Sequence, residues 1–354
     1  MPYTGIIDAY RSYLNMPEDI LPITLFEGNT PLIPMPRLAS ELGGGFELYV
    51  KFEGMNPTGS FKDRGMTVAI SEAASRGVIA VICASTGNTA ASAAAYAARA
   101  GMEAIVIIPQ GKVAAGKLAG AVAYGARVIQ IEGSFDDALS LVVEISERHP
   151  IALVNSLNPY RLEGQKTAAF EICDTLGGAP DWLCLPVGNA GNITAYWMGF
   201  RDYHHARGSE LPHLLGVQAA GAAPLVLGHP VEHPETVATA IRIGRPARGE
   251  QALAAAEESG GRIIAVTDDE ILRMQRRLAA NGVWVEPASA AGLAGLAHEL
   301  VDAKLNLAGQ HVVAVCTGHG LKDPGIISQT APPPQTARAE YSALEEIVLR
   351  GKQT

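Results

Sequence analysis

The sequence predicts an α/β protein of two lobes, each an open, mostly parallel twisted sheet with helices on both faces. Three observations predict it. Short apolar, β-rich runs alternate with Ala-rich helical stretches at the spacing of βα units, the pattern of parallel strands joined by crossover helices. The 354 residues are 48% hydrophobic and 18% charged, enough apolar material to fill one large core or two moderate ones. No internal repeat or low-complexity linker interrupts the alternation.

In chain order, a strand at 48–52 leads into a helix beginning at Lys62. A strand at 78–83 feeds a helix from about 88 to 100, one at 104–108 feeds a helix ending near Gly125, and one at 127–131 feeds 136–148. This block, 51–150, is expected as a smaller, mobile lobe. A second series begins with a strand at 151–154 and a helix near 165–176. Strand 182–187, helix 194–203, strand 214–218, helices 268–280 and 290–303 and strand 312–316 follow. Together with 1–50, residues 151–354 are expected to make the larger lobe. Prolines at 224, 230, 234 and 246 break the periodicity of 219–251, which reads as surface loop with a short helix. Beyond Pro324, three consecutive prolines precede an amphipathic run, 339–349, expected as a terminal helix.

Composition narrows the function. A net charge of −9, with no basic stripe, argues against nucleic acid as a partner. Met1-Pro2-Tyr3-Thr4-Gly5 is not a cationic leader, and no apolar run reaches the ~18 residues of a membrane span, so a cytoplasmic protein without a membrane partner is expected. Cys83, Cys173, Cys184 and Cys316 stand singly, without the spacing of a zinc site or a disulfide framework, and no metal is expected.

Chemistry concentrates in four segments. Asn56-Pro57-Thr58-Gly59-Ser60-Phe61-Lys62-Asp63-Arg64-Gly65-Met66 sets a lysine at a helix start, with Ser60 placed to cap it. A cation there faces the positive end of the helix macrodipole, and lysine is ordinarily a solvated surface residue. Either Lys62 is solvated beside Asp63, or its amine is engaged as a Schiff base with a carbonyl cofactor. Ser85-Thr86-Gly87-Asn88-Thr89 lies between a strand end and an Ala-rich helix. It is either an ordinary Ser/Thr helix start or a place where N–H groups and hydroxyls converge on a carboxylate. Gly188-Asn189-Ala190-Gly191-Asn192 follows an apolar strand and precedes a helix, a tight loop or a phosphate cradle. It lacks the Walker lysine and the GxGxxG spacing, which disfavours a nucleotide. Thr317-Gly318-His319-Gly320 ends the last strand at the carboxyl edge, where open α/β sheets place ligands. His319 reads as an ordinary loop histidine.

The segment Ser60-Phe61-Lys62-Asp63-Arg64-Gly65-Met66 resembles the pyridoxal-phosphate lysine segment of the threonine synthases, within the tryptophan-synthase-β, or fold type II, family. Glu27-Gly28-Asn29-Thr30-Pro31-Leu32, the Ser85–Thr89 and Gly188–Asn192 segments and Thr317-Gly318-His319-Gly320 match in the expected order across about 290 residues. The resemblance implies pyridoxal 5'-phosphate as cofactor, joined to Lys62. It implies the Asn88 amide at the ring oxygen, Gly188, Asn189, Ala190, Gly191 and Asn192 around the phosphate, and the Thr317 hydroxyl at the pyridine nitrogen. Ser85, Thr86 and Thr89 would hold the amino-acid substrate. A neutral hydroxyl at Thr317 does not keep a proton on the ring as a carboxylate would, which suits elimination and replacement and disfavours transamination.

The implied activity is conversion of O-phospho-L-homoserine and water to L-threonine and phosphate by β,γ-elimination and replacement. Candidates for the substrate phosphate are Asn155, Ser156, Asn189 and Arg161, the one cation among them, whose guanidinium matches phosphate geometry. Lys117 is a further possible contact. A threonine or serine dehydratase of the same fold, a cysteine-synthase-like enzyme and a catalytically silent sensor compete with this reading. Asp63-Arg64-Gly65-Met66 and the Arg161 segment favour the phospho-substrate. A homodimer is the usual arrangement of the family.

Overall fold

Two sheets organise the chain in the computed structural model, which describes residues 2–111, 115–301, 305–326 and 332–350, apart from the side chains of 115–117 and 350. The strands are β1 (Leu32–Pro34), β2 (Glu47–Phe52), β3 (Ala80–Ala84), β4 (Glu103–Pro109), β5 (Arg127–Ile131), β6 (Ala152–Leu153), β7 (Trp182–Pro186), β8 (His213–Ala219), β9 (Arg262–Val266) and β10 (His311–Cys316). Six of them run β1-β2-β10-β7-β8-β9 and four run β5-β4-β3-β6. Every pairing is parallel except β1 with β2. The expected α/β architecture of two mostly parallel sheets is therefore what the chain adopts.

Both faces of the larger sheet are covered, which explains why its strands read as unbroken apolar runs. In β10, Val312, Ala314 and Cys316 join one core with the Asp268–Ala280 and Pro287–Val301 helices. Val313 and Val315 point the other way, into a core with the Pro159–Leu176 and Gly191–Arg207 helices. The smaller sheet alternates likewise. Val81 and Cys83 of β3 meet the Lys62–Ser75 and Asn88–Arg99 helices, while Ile82 and Ala84 meet the Phe135–Arg148 helix.

The boundary expected at 50–51 falls inside β2, and β6 begins just past the one expected at 150–151. β2 runs between β1 and β10 in the larger sheet, and β6 pairs with β3 in the smaller one. Local alternation does not report which distant strand becomes a neighbour. Two strands were not anticipated: β1, three residues long with Pro34 at its end, and β9, partly exposed along four of five residues. Both are sheet edges, where the apolar signal is weakest. The 219–251 segment carries a short helix, Pro224–Leu227, as expected, and a longer one, Gly249–Glu258, starts at its end.

Met1–Asp323 form one compact unit and Pro324–Thr354 a second. The second contains the helix Tyr341–Arg350, matching the amphipathic run.

Within the first unit, three helices pack tightly enough to require glycine. A Cβ on Gly164 would stand 1.8 Å from the Arg64 carbonyl oxygen, and one on Gly199 would stand 2.3 Å from that of Lys166. The Lys62–Ser75, Pro159–Leu176 and Gly191–Arg207 helices thus form one stack that ties the lysine segment to the Gly188–Asn192 loop. A buried ion network reinforces it. Arg64 donates to both oxygens of Glu53 and both of Glu171, at 2.6–2.8 Å, and Lys51 donates to Glu171 at 2.7 Å. The Asn29 and Thr30 N–H groups also end on Glu171, and the Gly28 N–H ends on Asn56 Oδ1. Gly28, Asn29 and Thr30 of one sequence match and Arg64 of another thus meet in this network, which anchors the lysine segment.

Candidate active site

The sequence segments converge on a cavity of about 520 Å³ lined by both sheets' carboxyl-end loops. Lys62 is the first residue of its helix and stands in the cavity wall, its Nζ 4.3 Å from the Phe61 ring centroid. Among the described residues no carboxylate forms an ion pair with it. Burial, and after it the charge of Arg161, pull the amine down to about 7, against the opposing pull of Glu286. A cation at a helix start, partly buried in the cavity wall, thus becomes an amine available as a base near neutrality.

Several contacts hold this lysine segment. The Phe61 N–H donates to the Thr317 carbonyl, the His319 N–H to the Gly59 carbonyl, and Lys322 Nζ to the Thr58 carbonyl at 3.0 Å. Asp63 is buried and accepts from the Thr58 N–H, the Thr58 hydroxyl and the Ser92 hydroxyl, at 2.6–2.7 Å. Desolvation raises its carboxyl to about 6, although these bonds oppose the rise. Ser60 does not cap the helix: Phe61 occupies that position in a helical conformation, and the Ser60 hydroxyl is buried without a partner. His319 stacks on Phe52, sits edge-on to Trp284, and accepts from the Leu321 N–H. These contacts tie the loop after β10 to β2 and to Trp284.

Ser85, Thr86, Gly87, Asn88 and Thr89 all line the cavity after β3, at the start of the Asn88–Arg99 helix. That helix has no side-chain cap, so its first N–H groups are left for another acceptor. Asn88 Nδ2 donates to Glu286 at 2.9 and 3.2 Å. Gly188, Asn189, Ala190, Gly191 and Asn192 lie opposite, after β7. Ala190 takes up a left-handed conformation, φ 65°, and the helix behind it again has no side-chain cap. A Cβ on Gly188 would reach 3.0 Å from Ile241 Cα, so the loop runs hard against the wall. Thr317 presents its hydroxyl 2.8 Å from that of Ser289, which also accepts from the Gly318 N–H at 2.8 Å.

The candidates for a second anion are divided by the structure. Ser156 and Asn189 line the cavity. Asn155 also lines it, but its amide is engaged at both ends by the Ala84 backbone, at 2.9 and 3.0 Å, so it holds the end of β3. Arg161 stands apart from these. It belongs to the first turn of the Pro159–Leu176 helix and is 1% exposed behind the cavity wall. One terminal nitrogen donates to the Val154 carbonyl, while Nε and the other terminal nitrogen have no partner. Lys117 falls outside the described side chains. Sequence reasoning missed Glu286, Ser289 and Lys322. The available signal was Pro287, which marks a helix start beside the β10 loop.

These residues fit a phosphorylated aldehyde cofactor. Two uncapped helix starts face one cavity, a near-neutral amine stands in its wall, and buried donors on Asn192 and Arg161 lack partners. Residues 23–318 match the family of pyridoxal-phosphate-dependent enzymes. The chain belongs to that family. It is 59% identical over 331 residues to a threonine synthase of Synechocystis, covering 93% of this chain and 86% of the relative. It is 58% identical to one from Bacillus, covering 92% of each, and 49% identical to one from Methanocaldococcus jannaschii, covering 96% of this chain and 86% of that one. Among solved structures, maize serine racemase superposes with a TM-score of 0.75 at 22% identity, covering 98% of this chain and all of the other, a likeness of fold alone. The cofactor of the chain is pyridoxal phosphate, and its function is that of a pyridoxal-phosphate-dependent threonine synthase.

Proposed function

We propose that the enzyme converts O-phospho-L-homoserine and water to L-threonine and phosphate, with Lys62 as the single proton carrier. The observation that carries this reading is the Lys62 amine, drawn down to about 7 in the wall of the cavity that the cofactor-binding segments line. The chemistry that pyridoxal phosphate supplies when bound is an electron sink for the charge left at the substrate carbon chain. The protein supplies the rest. The Gly188–Asn192 N–H groups and the helix start behind them hold the cofactor phosphate. Asn88 takes the ring oxygen, and Thr317, fixed by Ser289, takes the pyridine nitrogen.

Ser85, Thr86 and Thr89, with the uncapped start of the Asn88–Arg99 helix, hold the substrate carboxylate. Lys62 Nζ takes the Cα proton and passes it to the phosphate that leaves Cγ, takes the Cβ proton and returns it to Cγ, and then takes a proton from the water whose hydroxyl adds at Cβ and returns it to Cα. Ser156 and Asn189 meet the leaving phosphate from the cavity side, Asn155 positions that wall, and Arg161 offers its unpartnered donors from behind. General acid–base help of this kind contributes roughly 10²–10⁴-fold per step.

Phosphate release from O-phosphohomoserine, with threonine identified as product, tests the proposal beside L-threonine as rival substrate. Ammonia and a ketoacid from threonine, without phosphate release, would instead mark a dehydratase. We infer further that the enzyme works as a homodimer in the cytoplasm, and that 51–150 closes as the smaller lobe against 1–50 plus 151–354 when substrate binds. The support for closure is that Ser85–Thr89 hang from the smaller sheet and Gly188–Asn192 from the larger. Light scattering of the purified protein reads the first, and scattering profiles with and without a substrate analogue read the last.

A further inference from the structure

We propose that Glu286 is a positioning residue of this active site: it fixes the Asn88 amide across the cavity and supplies the negative charge set against Lys62. The inference rests on the reading of Lys62 and Asn88 given above. Glu286 is 5% exposed, directly precedes the Pro287–Val301 helix and belongs to the cavity wall. Both its oxygens accept from Asn88 Nδ2, and its backbone N–H donates to the Gly318 carbonyl at 3.2 Å. A Cβ on Gly318 would stand 2.4 Å from Glu286 Oε1, so any larger residue after Thr317 would displace the carboxylate from this position.

Two consequences follow from elementary chemistry. A carboxylate offers only acceptors, so it turns the nitrogen end of Asn88 toward itself and forbids the flipped amide. Nδ2 carries two hydrogens, and one given to Glu286 leaves the second for the cofactor ring. The carboxylate also opposes the other charges that act on Lys62. Burial and Arg161, from the Pro159–Leu176 helix, favour the free amine, and Glu286 favours the ammonium. Lys322, on the loop after β10, is acted on by Glu286 and Asp63 in the same sense, against burial. Glu286 thus keeps Lys62 balanced between proton donor and acceptor, as a carrier that both takes and returns protons requires.

The test compares the wild-type chain with Glu286→Gln and Glu286→Asp. The full-length protein stripped of cofactor is acylated at amines across pH 5–10, and the Lys62 peptide is quantified by mass spectrometry. The loaded enzyme is followed by its visible absorption over the same range. Removing the charge is expected to lower the Lys62 labelling midpoint by about one pH unit, and Glu286→Asp to recover most of that change. The visible titration of Glu286→Gln should also move away from wild type. A Lys62 midpoint that coincides in all three proteins overturns the proposal, whatever happens to turnover. If Glu286→Gln does not fold, Glu286→Ala, which also removes the charge, takes its place: a labelling midpoint within about 0.1 pH unit of wild type overturns the proposal, and a fall of about one pH unit supports it. Should O-phosphohomoserine prove not to be the substrate, both readouts still stand, because neither uses it.

Discussion

Replacing Glu171 by glutamine removes one negative charge from the buried network behind the lysine segment. In the wild type, Lys51 and Arg64 face Glu53 and Glu171, two charges of each sign. Five donors end on the Glu171 carboxylate: two from Arg64 and one each from Lys51, Asn29 and Thr30, at 2.7–3.3 Å. Glutamine keeps one acceptor oxygen, turns an N–H₂ toward guanidinium or ammonium, and leaves a net positive charge in the core. Breaking a buried pair in this way costs about 3–5 kcal/mol.

The pH dependence gives an independent magnitude. Burial works against ionisation of Glu171, but Arg64 and Lys51 outweigh it and hold the carboxyl at about 2, from an ordinary 4.5. A depressed carboxylate stabilises the fold above its unfolded pKa and loses that contribution as pH falls through its folded pKa. The full gap corresponds to about 3 kcal/mol, of which about 1.4 kcal/mol is already lost at pH 3.5. Urea unfolding of both proteins between pH 7 and 3.5 measures it. The variant should be less stable by several kcal/mol at pH 7, and the difference should narrow toward pH 3.5. A variant within about 1 kcal/mol of wild type at pH 7, or a difference that does not change with pH, refutes the account.

Lys62→Ala should abolish turnover and the visible absorption of the bound cofactor, both read on the purified variant. With the free amine as base near 7, wild-type kcat should drop tenfold for each pH unit below that value, since an ammonium cannot accept the Cα proton; a flat profile between pH 5 and 7 would count against it. Ser289→Ala leaves the Gly318 N–H without its acceptor and Thr317 without its partner, so cofactor affinity should weaken, with a stability loss of about 1–3 kcal/mol, measured by fluorescence titration and unfolding. Gly164→Ala sets a methyl group against the Arg64 carbonyl and must push two helices apart, which should lower the unfolding temperature and slow catalysis together. Unchanged thermal unfolding would show that the helix crossing is looser than described.

The sequence by itself determined the fold class and the chemistry-bearing segments. Val312–Cys316 is apolar at every position because both faces of β10 are buried, and the helices on either side follow from their periodicity. Lys62, Ser85–Thr89, Gly188–Asn192 and Thr317 were legible because each follows a strand end or opens a helix, and turn chemistry is local. Only the tertiary structure decided what lies beside what. The Asn88–Glu286 contact joins residues 198 apart, and the ion network joins Arg64 to Glu171 across 107. The sequence offers Arg161 as a phosphate-matching cation, but only the helix crossing at Gly65 and Gly164 buries it, and β2 and β6 reveal their sheets only through the strands they pair with. The physical reason is one of range: periodicity and turn propensity are written within a dozen residues, whereas burial, partner and pKa depend on which distant segments pack against them.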